Sequence, residues 1–388
     1  MEQRKLLAKA AVVGGLALVL MIPLMMIQGT VSERQGLRDG VIADIARSAT
    51  GAQKVLGPLL VVPYRERIEH VKKNEQTGTT TVEIEFVDRI VTLPPERLEI
   101  TGGVTTEERY RGIHKALLYN SALAFKGSFT VPDQFGLADR QHRIQWGRPY
   151  LAVGVADIRG IKAQPRLRWQ GASRPFAPGA RHGVVGSGIH APLDDLPALA
   201  EVYEFAFELD LRGMERLEFV PVGRDTVVDL RSAWPHPSFV GRFLPETRTV
   251  TDQGFDARWR ASHFSTNVEQ LLRECGGREC AALLETSLGV AFIEPVDIYL
   301  QAERAVKYGV LFIGLTFAAF FLFELFKQLA IHPIQYGLVG IALAIFYLLL
   351  LSMSEHMSFG LSYLCAATAC VGLLGSTRPM FSGACAAR

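Results

Sequence analysis

Four ionisable side chains stand where the sequence turns from apolar to polar: Glu324, His332, Glu355 and His356. A carboxylate beside an imidazole can hold or pass a proton, because histidine titrates near neutrality and a neighbouring negative charge favours its charged form. Ionisable groups at membrane depth usually face protein or water and often carry a role. A short link joins the run ending at Glu324 to the run starting at His332, so a helical hairpin brings both to one interface, where they can pair. Glu355 and His356 end the next apolar run, about one bilayer away by the helical rise, so the four cannot share one site. We take these four as the candidate functional polar residues. The alternative for Glu324 and His332 is structural pairing or hydration at a helix end.

Cys275 and Cys280 enclose Gly-Gly-Arg-Glu. A close pair in an oxidising space is a disulfide candidate, and closing so small a loop contributes about 2 kcal/mol. No second Cys or His pair stands at ligand spacing, so no metal site is expected. No P-loop, HExxH, G-x-S-x-G or dinucleotide fingerprint occurs; Ser187 lies between glycines, but at the wrong spacing for a nucleophile elbow, and reads as a turn. We therefore expect no catalytic residue, no cofactor and no enzyme. The formal net charge of +2 gives no electrostatic argument for nucleic acid.

The elements that must position these residues follow from charge and hydropathy. Charged residues crowd the stretch from Glu33 to Glu303, whereas few follow Ala305. Such a shift separates two solvents, water and lipid. Residues 10–28 are uncharged and long enough for a first span, preceded by Arg4, Lys5 and Lys9 in a cytoplasmic 1–9. The run is longer than a signal-peptide core and no A-x-A site follows it, which favours an anchor over a cleaved signal. Further spans are expected at 305–323, 335–351 and 357–375, each apolar all round, as lipid-facing helices are. The basic residues put Met1, the Lys327 loop and the tail in the cytoplasm, and residues 29–304 outside.

Within 29–304, the stretch from Thr30 to Ser48 has helical spacing with Ser32 as a possible N-cap. Strand alternation follows. Val82, Ile84 and Phe86 alternate with Glu83 and Glu85, after a polar Lys72–Thr80 stretch that fits a hairpin loop. Tyr203, Phe205, Phe207, Leu209 and Leu211 alternate with acidic residues, and Phe255, Ala257, Trp259 and Ala261 alternate with Asp256, Arg258 and Arg260. The segment from Leu167 to Pro192, rich in Gly, Pro, Arg and His, reads as a long loop. The expected architecture is an anchor helix, a large β-rich antiparallel domain built as two packed sheets, and a C-terminal transmembrane helical bundle. The tryptophans fall in the domain; Trp234-Pro-His-Pro-Ser-Phe239 is its most distinctive segment, read as core with a binding groove as the alternative.

Several blocks together resemble the CreD family of inner membrane proteins associated with cell envelope integrity. They include Gly57-Pro-Leu-Leu-Val-Val-Pro-Tyr64, Arg109-Tyr-Arg-Gly-Ile113, Asp157-Ile-Arg-Gly160, Ser232-Ala-Trp-Pro-His-Pro-Ser-Phe239, Gly254-Phe-Asp-Ala-Arg-Trp259, His332-Pro-Ile-Gln-Tyr336 and Ser354-Glu-His356. The resemblance covers roughly Met1 to Leu374. It implies a multi-pass protein of the bacterial inner membrane, linked to envelope stress and to a two-component regulon, with no molecular activity or ligand residues to carry over. Its implied partners are the lipid bilayer and an envelope protein or polymer of unknown identity. Residues 376–388 do not resemble the further spans usual in the family, which would fit a truncation or frameshift. A transporter or channel component, or a membrane enzyme acting on envelope lipid or peptidoglycan, are the competing functions. Transport favours broken helices and charges at the midplane, and catalysis favours clustered ionisable groups at the outer face. The midplane looks dry, and at the outer face only Glu355 and His356 offer such groups and need partners from the domain, so a non-enzymatic role in envelope integrity is the reading preferred.

Overall fold

A computed structural model describes residues 2–73, 80–112, 114–132, 135, 137, 144–194, 201–276, 278, 280–293, 298–327 and 332–376. The atypical tail therefore lies outside the described residues, apart from Ser376 at the end of the last helix. The chain divides into two units: residues 1–41 with 294–388, and residues 42–293.

The first helix, α1, runs unbroken over Glu2–Ser48. The helix expected over Thr30–Ser48 is present, but Ser32 caps nothing because it lies inside a longer helix. Between Gln28 and Ser48 the chain offers no proline, and Leu37, Val41 and Ile45 keep helical spacing. The Thr30 hydroxyl donates back to Met26 O at 3.1 Å, so that polar group is satisfied without ending the helix.

The β-rich unit holds β1 (Gln53–Lys73), β2 (Thr80–Leu93), β3 (Arg97–Arg111), β4 (His114–Thr130), β5 (Ile144–Trp146), β6 (Tyr150–Val155), β7 (Arg166–Trp169), β8 (Ala172–Pro175), β9 (Ala177–Pro178), β10 (Gly188–Pro192), β11 (Val202–Met214), β12 (Arg216–Val220), β13 (Asp225–Ser232), β14 (Pro237–Gly241), β15 (Thr247–Thr251) and β16 (Gly254–Ser262). The short helices α2 (His263–Thr266), α3 (Val268–Cys275) and α4 (Ala281–Leu284) precede the last strand, β17 (Leu288–Phe292). One sheet runs β14-β17-β12-β1-β6-β10-β9, with β2 and β5 also on β1; the other runs β15-β16-β13-β3-β4-β11-β7-β8.

Alternation explains how the two sheets share a core. On β11, Phe205, Phe207, Leu209 and Leu211 are buried while Glu204, Glu208 and Asp210 are exposed; on β16, Phe255, Ala257, Trp259 and Ala261 are buried. Aromatic pairs join one sheet to the other: Tyr119 with Phe292 at 5.1 Å, and Phe239 with Trp259 at 5.7 Å. The sequence Trp234-Pro-His-Pro-Ser-Phe239 is thus committed to structure, since Phe239 packs on Trp259 and the Trp234 indole N–H donates to His236 O at 3.1 Å.

Two features of the unit differ from expectation. The sheets are not wholly antiparallel: β1 pairs with β12 in parallel, Gln53 opposite Leu217, and β3 pairs with β13 in parallel, Arg97 opposite Asp225. Parallel neighbours need a long crossover, and each joint here links strands far apart in the chain, which local pattern does not reveal. The segment from Leu167 to Pro192 is not one loop but carries most of β7 and all of β8, β9 and β10. Its glycines mark bends: Gly171, Gly179 and Gly186 all have positive φ.

The β1–β2 hairpin has two halves. Near its base, Leu59, Leu60, Val61 and Val62 are fully buried. Farther out, Val82, Ile84 and Phe86 are 51%, 47% and 61% exposed, so the alternation that predicted one buried face is present while the burial is not.

The second unit contains the early part of α1 with α5 (Ile298–Lys327), α6 (Pro333–Ser354) and α7 (Phe359–Ser376). The helix α5 starts inside the stretch assigned by sequence to the β domain. Among the described residues three helices are long and apolar enough to cross a membrane, over Ala8–Ser48, Leu300–Phe326 and Pro333–Ser354; Phe359–Gly375 is a shorter apolar helix. Their packing relies on glycine. A Cβ at Gly340 would collide with Leu20 of α1, and one at Gly309 would come within 2.8 Å of the Tyr347 ring. Small residues let helices approach where lipid supplies no hydrophobic drive.

Candidate functional site

The charged side chains described in the apolar unit gather towards the two ends of its helices. At one end Lys9 of α1 forms an ion pair with Glu324 of α5, and the Tyr336 hydroxyl of α6 donates to Glu324 Oε2 at 3.3 Å. Tyr336 is fully buried, wedged edge-on between Phe317 and Phe320. Three helices therefore converge on one carboxylate. Removing a charge from water costs several kcal/mol unless a partner and hydrogen bonds compensate, and Glu324 has both.

His332 does not join this cluster. It is the N-cap of α6, where its Nδ1 accepts the Ile334 N–H at 3.3 Å, and Pro333 follows at the first helical position. The expected pairing of Glu324 with His332 is thus replaced by two separate jobs. The reason is local: an imidazole preceding Pro is well placed to satisfy an orphan N–H of the new helix. No short-range signal links Lys9 to Glu324, which are 315 positions apart.

At the other end, Glu355 caps the C-terminus of α6 and lies 3.8 Å from Arg34 Nε of α1. Gln35 donates to Glu303 Oε2 at 3.5 Å. His356 is exposed, and its backbone N–H closes the last turn on Met353 O. From Lys307 to Glu324 the helical rise is about 26 Å, near the thickness of a hydrocarbon core. The two polar layers thus bracket a slab of bilayer dimensions, and no group of three or more His, Cys, Asp or Glu that could hold a metal occurs among the described residues.

The β-rich unit carries its own polar centre. Arg159 donates to Arg47 O at 2.5 Å, reaching a terminal carbonyl of α1, and holds Asp157 through Nη2 at 2.7 Å. Its guanidinium keeps the Asp157 carboxyl below the usual carboxylate range by hydrogen bonding. Arg111 forms an ion pair with Asp44 of the same helix end. Gln53 locks the clasp: its Nε2 donates to Asp157 O and to Arg212 O, both at 2.9 Å. A cation at a helix C-terminus satisfies orphan carbonyls and opposes the dipole. Sequence reasoning assigned these residues no role, although Arg109-Tyr-Arg-Gly-Ile113 and Asp157-Ile-Arg-Gly160 stood out as blocks.

His182 was also missed. It is buried, its Nε2 lies 2.7 Å from Thr92 Oγ1, and burial pushes its pKa down to about 4. It is a neutral core histidine over the physiological range. Cys275 and Cys280 form a disulfide, with Cα atoms 5.5 Å apart, at the C-terminal end of α3. Ser187 serves the backbone, its carbonyl accepting Val155 N–H at 3.1 Å.

These features can be set beside known proteins. A family profile described as "Inner membrane protein CreD" matches residues 5–378. The chain belongs to the CreD family. It is 35% identical over 352 residues to the inner membrane protein CreD of Escherichia coli strain K12, covering 91% of this chain and 76% of that one. The CreD match spans the β-rich unit and the apolar helices alike. Among solved structures, an M1 zinc metallopeptidase from Deinococcus radiodurans is similar at a TM-score of 0.22 and 11% identity, over 43% of this chain and 38% of that one. A two-domain M1 zinc metallopeptidase bound to L-tryptophan has the same TM-score and identity, over 51% and 44%. At that score the likeness carries no argument about this CreD chain.

Proposed function

We propose that the chain contributes to cell envelope integrity as a non-enzymatic inner membrane protein acting through its β-rich domain. It crosses the membrane four times, with its N-terminus in the cytoplasm and the domain in the periplasm. The observation that carries this reading is the polar layering of the apolar unit. The Lys9–Glu324–Tyr336 cluster and the Arg34–Glu355 contact stand at opposite helix ends, and the interval between them is uncharged on α1 and α6 and carries on α5 only Arg304 and Lys307, close to one end. Lys9 continues the basic group Arg4 and Lys5, which favours that end as cytoplasmic. The Cys275–Cys280 disulfide suits a domain on the oxidising side. Charges at helix ends, rather than in broken helices at the midplane, speak for anchoring over transport.

Reporter fusions at Gly102 and at Gln328 test the topology, with periplasmic activity expected at Gly102 and cytoplasmic activity at Gln328. Periplasmic activity at Gln328 would overturn the four-span arrangement. Function is tested in a strain lacking the protein, scored by sensitivity to detergent and bile salts. The full chain should restore resistance and a chain lacking residues 53–292 should not, at equal membrane abundance. Restoration by the helices alone would remove the domain from the role.

A further inference from the structure

We propose that a cleft beside strand β2 binds an extended polypeptide segment by adding it to the free edge of the sheet. This inference is independent of the envelope role and concerns the β-rich unit alone. Among the described residues β2 pairs with β1 only, so at Ile90–Leu93 its outer edge carries no other strand. Natural proteins usually blunt such edges with proline, bulges or a covering element. Neither a proline nor a bulge interrupts residues 80–93 of this chain.

A cleft of about 540 Å³ runs along the base of that edge. Four consecutive β2 residues, Ile90, Val91, Thr92 and Leu93, line it. Successive side chains point to opposite faces of a strand, so a cleft touching four in a row follows the edge rather than one face. The facing wall is α3, through Leu272 and Arg273, and the floor is aromatic, from Tyr64 and Phe135. A strand edge opposite a helix over an apolar floor is the geometry that accepts a peptide as an added strand: the backbone supplies the hydrogen bonds, and alternate side chains enter the floor. Gly276, next to the Cys275–Cys280 disulfide, also lines the cleft.

The charges at the mouth select the occupant. Arg224 is held by Glu269 at 2.6 Å and by Glu96 at 3.4 Å. Arg273 reaches Glu269 only at 3.9 Å, with its side chain 73% exposed, so it is the least satisfied charge of the four. The complementary ligand carries apolar residues at alternate positions and a carboxylate opposite Arg273.

The test uses full-length protein in detergent micelles and a random heptapeptide library displayed on phage. Enriched peptides should alternate apolar and polar residues and include an acidic one. A synthetic copy should bind saturably by fluorescence anisotropy. The same peptide methylated on alternate backbone nitrogens should bind about tenfold more weakly or worse, because backbone bonds of about 1 kcal/mol each are lost. Arg273→Glu should weaken the acidic peptide about threefold or more and improve binding of its lysine counterpart, as rim charges do. No enrichment, methylation without effect, or indifference to Arg273→Glu would each overturn the proposal. So would self-association of the chain that is lost on Val91→Arg with no peptide enriched, since the edge would then belong to a second copy.

Discussion

The β-rich unit and the apolar helices spend their charged residues differently. On the sheets, ion pairs such as Arg65–Asp88 and Arg260–Asp225 lie in the open, where water screens them and each contributes little. In the helical unit charged contacts are few and sit at the helix ends, one of them backed by a buried tyrosine. The sheets are held by an aromatic and aliphatic interior spanning both layers. The helices gain nothing from hiding apolar surface in lipid, and must rely on close approach at glycine and on polar contacts at their ends. The contrast teaches that a carboxylate's contribution depends on its solvent more than on its distance to a cation.

The largest effect expected from a single change lies in the β core. Trp259→Ala removes a fully buried side chain and should cost about 3–5 kcal/mol, enough to abolish cooperative unfolding of the β-rich unit followed by tryptophan fluorescence or differential scanning. A loss under 1 kcal/mol would mean the two sheets do not depend on their shared interior.

Acid should act next, through His182. Its folded pKa of about 4 lies below the unfolded value near 6.5, so the unfolded chain takes up the proton first. The stability associated with the neutral ring is full above pH 6.5 and falls as pH drops from there towards 4, by about 3 kcal/mol at most. His182→Gln should flatten that part of the stability profile. An unchanged slope would place the acid sensitivity elsewhere.

Glu324→Ala should destabilise the helical unit by about 2 kcal/mol, because Lys9 loses its partner at the membrane boundary. The double variant with Lys9→Ala should recover part of the loss, as measured by maleimide labelling of the part-buried Cys370 on heating in detergent. Additive losses would show that the two side chains act separately. The smallest effect is expected from Cys275→Ser, at most about 2 kcal/mol, given the short loop. In the wild-type chain, thiol labelling after denaturation without reduction should miss both cysteines of the pair.

Much of this was legible in the sequence, for physical reasons that also mark the limits. Alternation on β11 and β16 reported directly on which side faces the core, since a strand's side chains have a period of two. The apolar runs reported lipid because few soluble helices stay apolar all round. Three things were not legible. The parallel joints of β1 with β12 and β3 with β13 depend on partners beyond any local window. The partner of Glu324 lay at the opposite end of the chain, while the nearer His332 was occupied as a cap. The alternation at Val82, Ile84 and Phe86 was real, yet it faces solvent, because pattern reports an apolar face and not what covers it.

The parallel joint between β1 and β12 has a consequence for how the protein is made. Gln53 meets Leu217, so the first strand of the domain lacks this neighbour until more than 160 further residues have been synthesised. At roughly 5–20 residues per second this delay is on the order of ten seconds or longer. The closing strand β17, which flanks β12, emerges later still, immediately before the helix α5. The domain therefore cannot fold strand by strand as it leaves the ribosome. Most of β1 can pair with β2 soon after synthesis, but its Gln53–Leu56 end waits for β12 and is the segment a holding chaperone would find first.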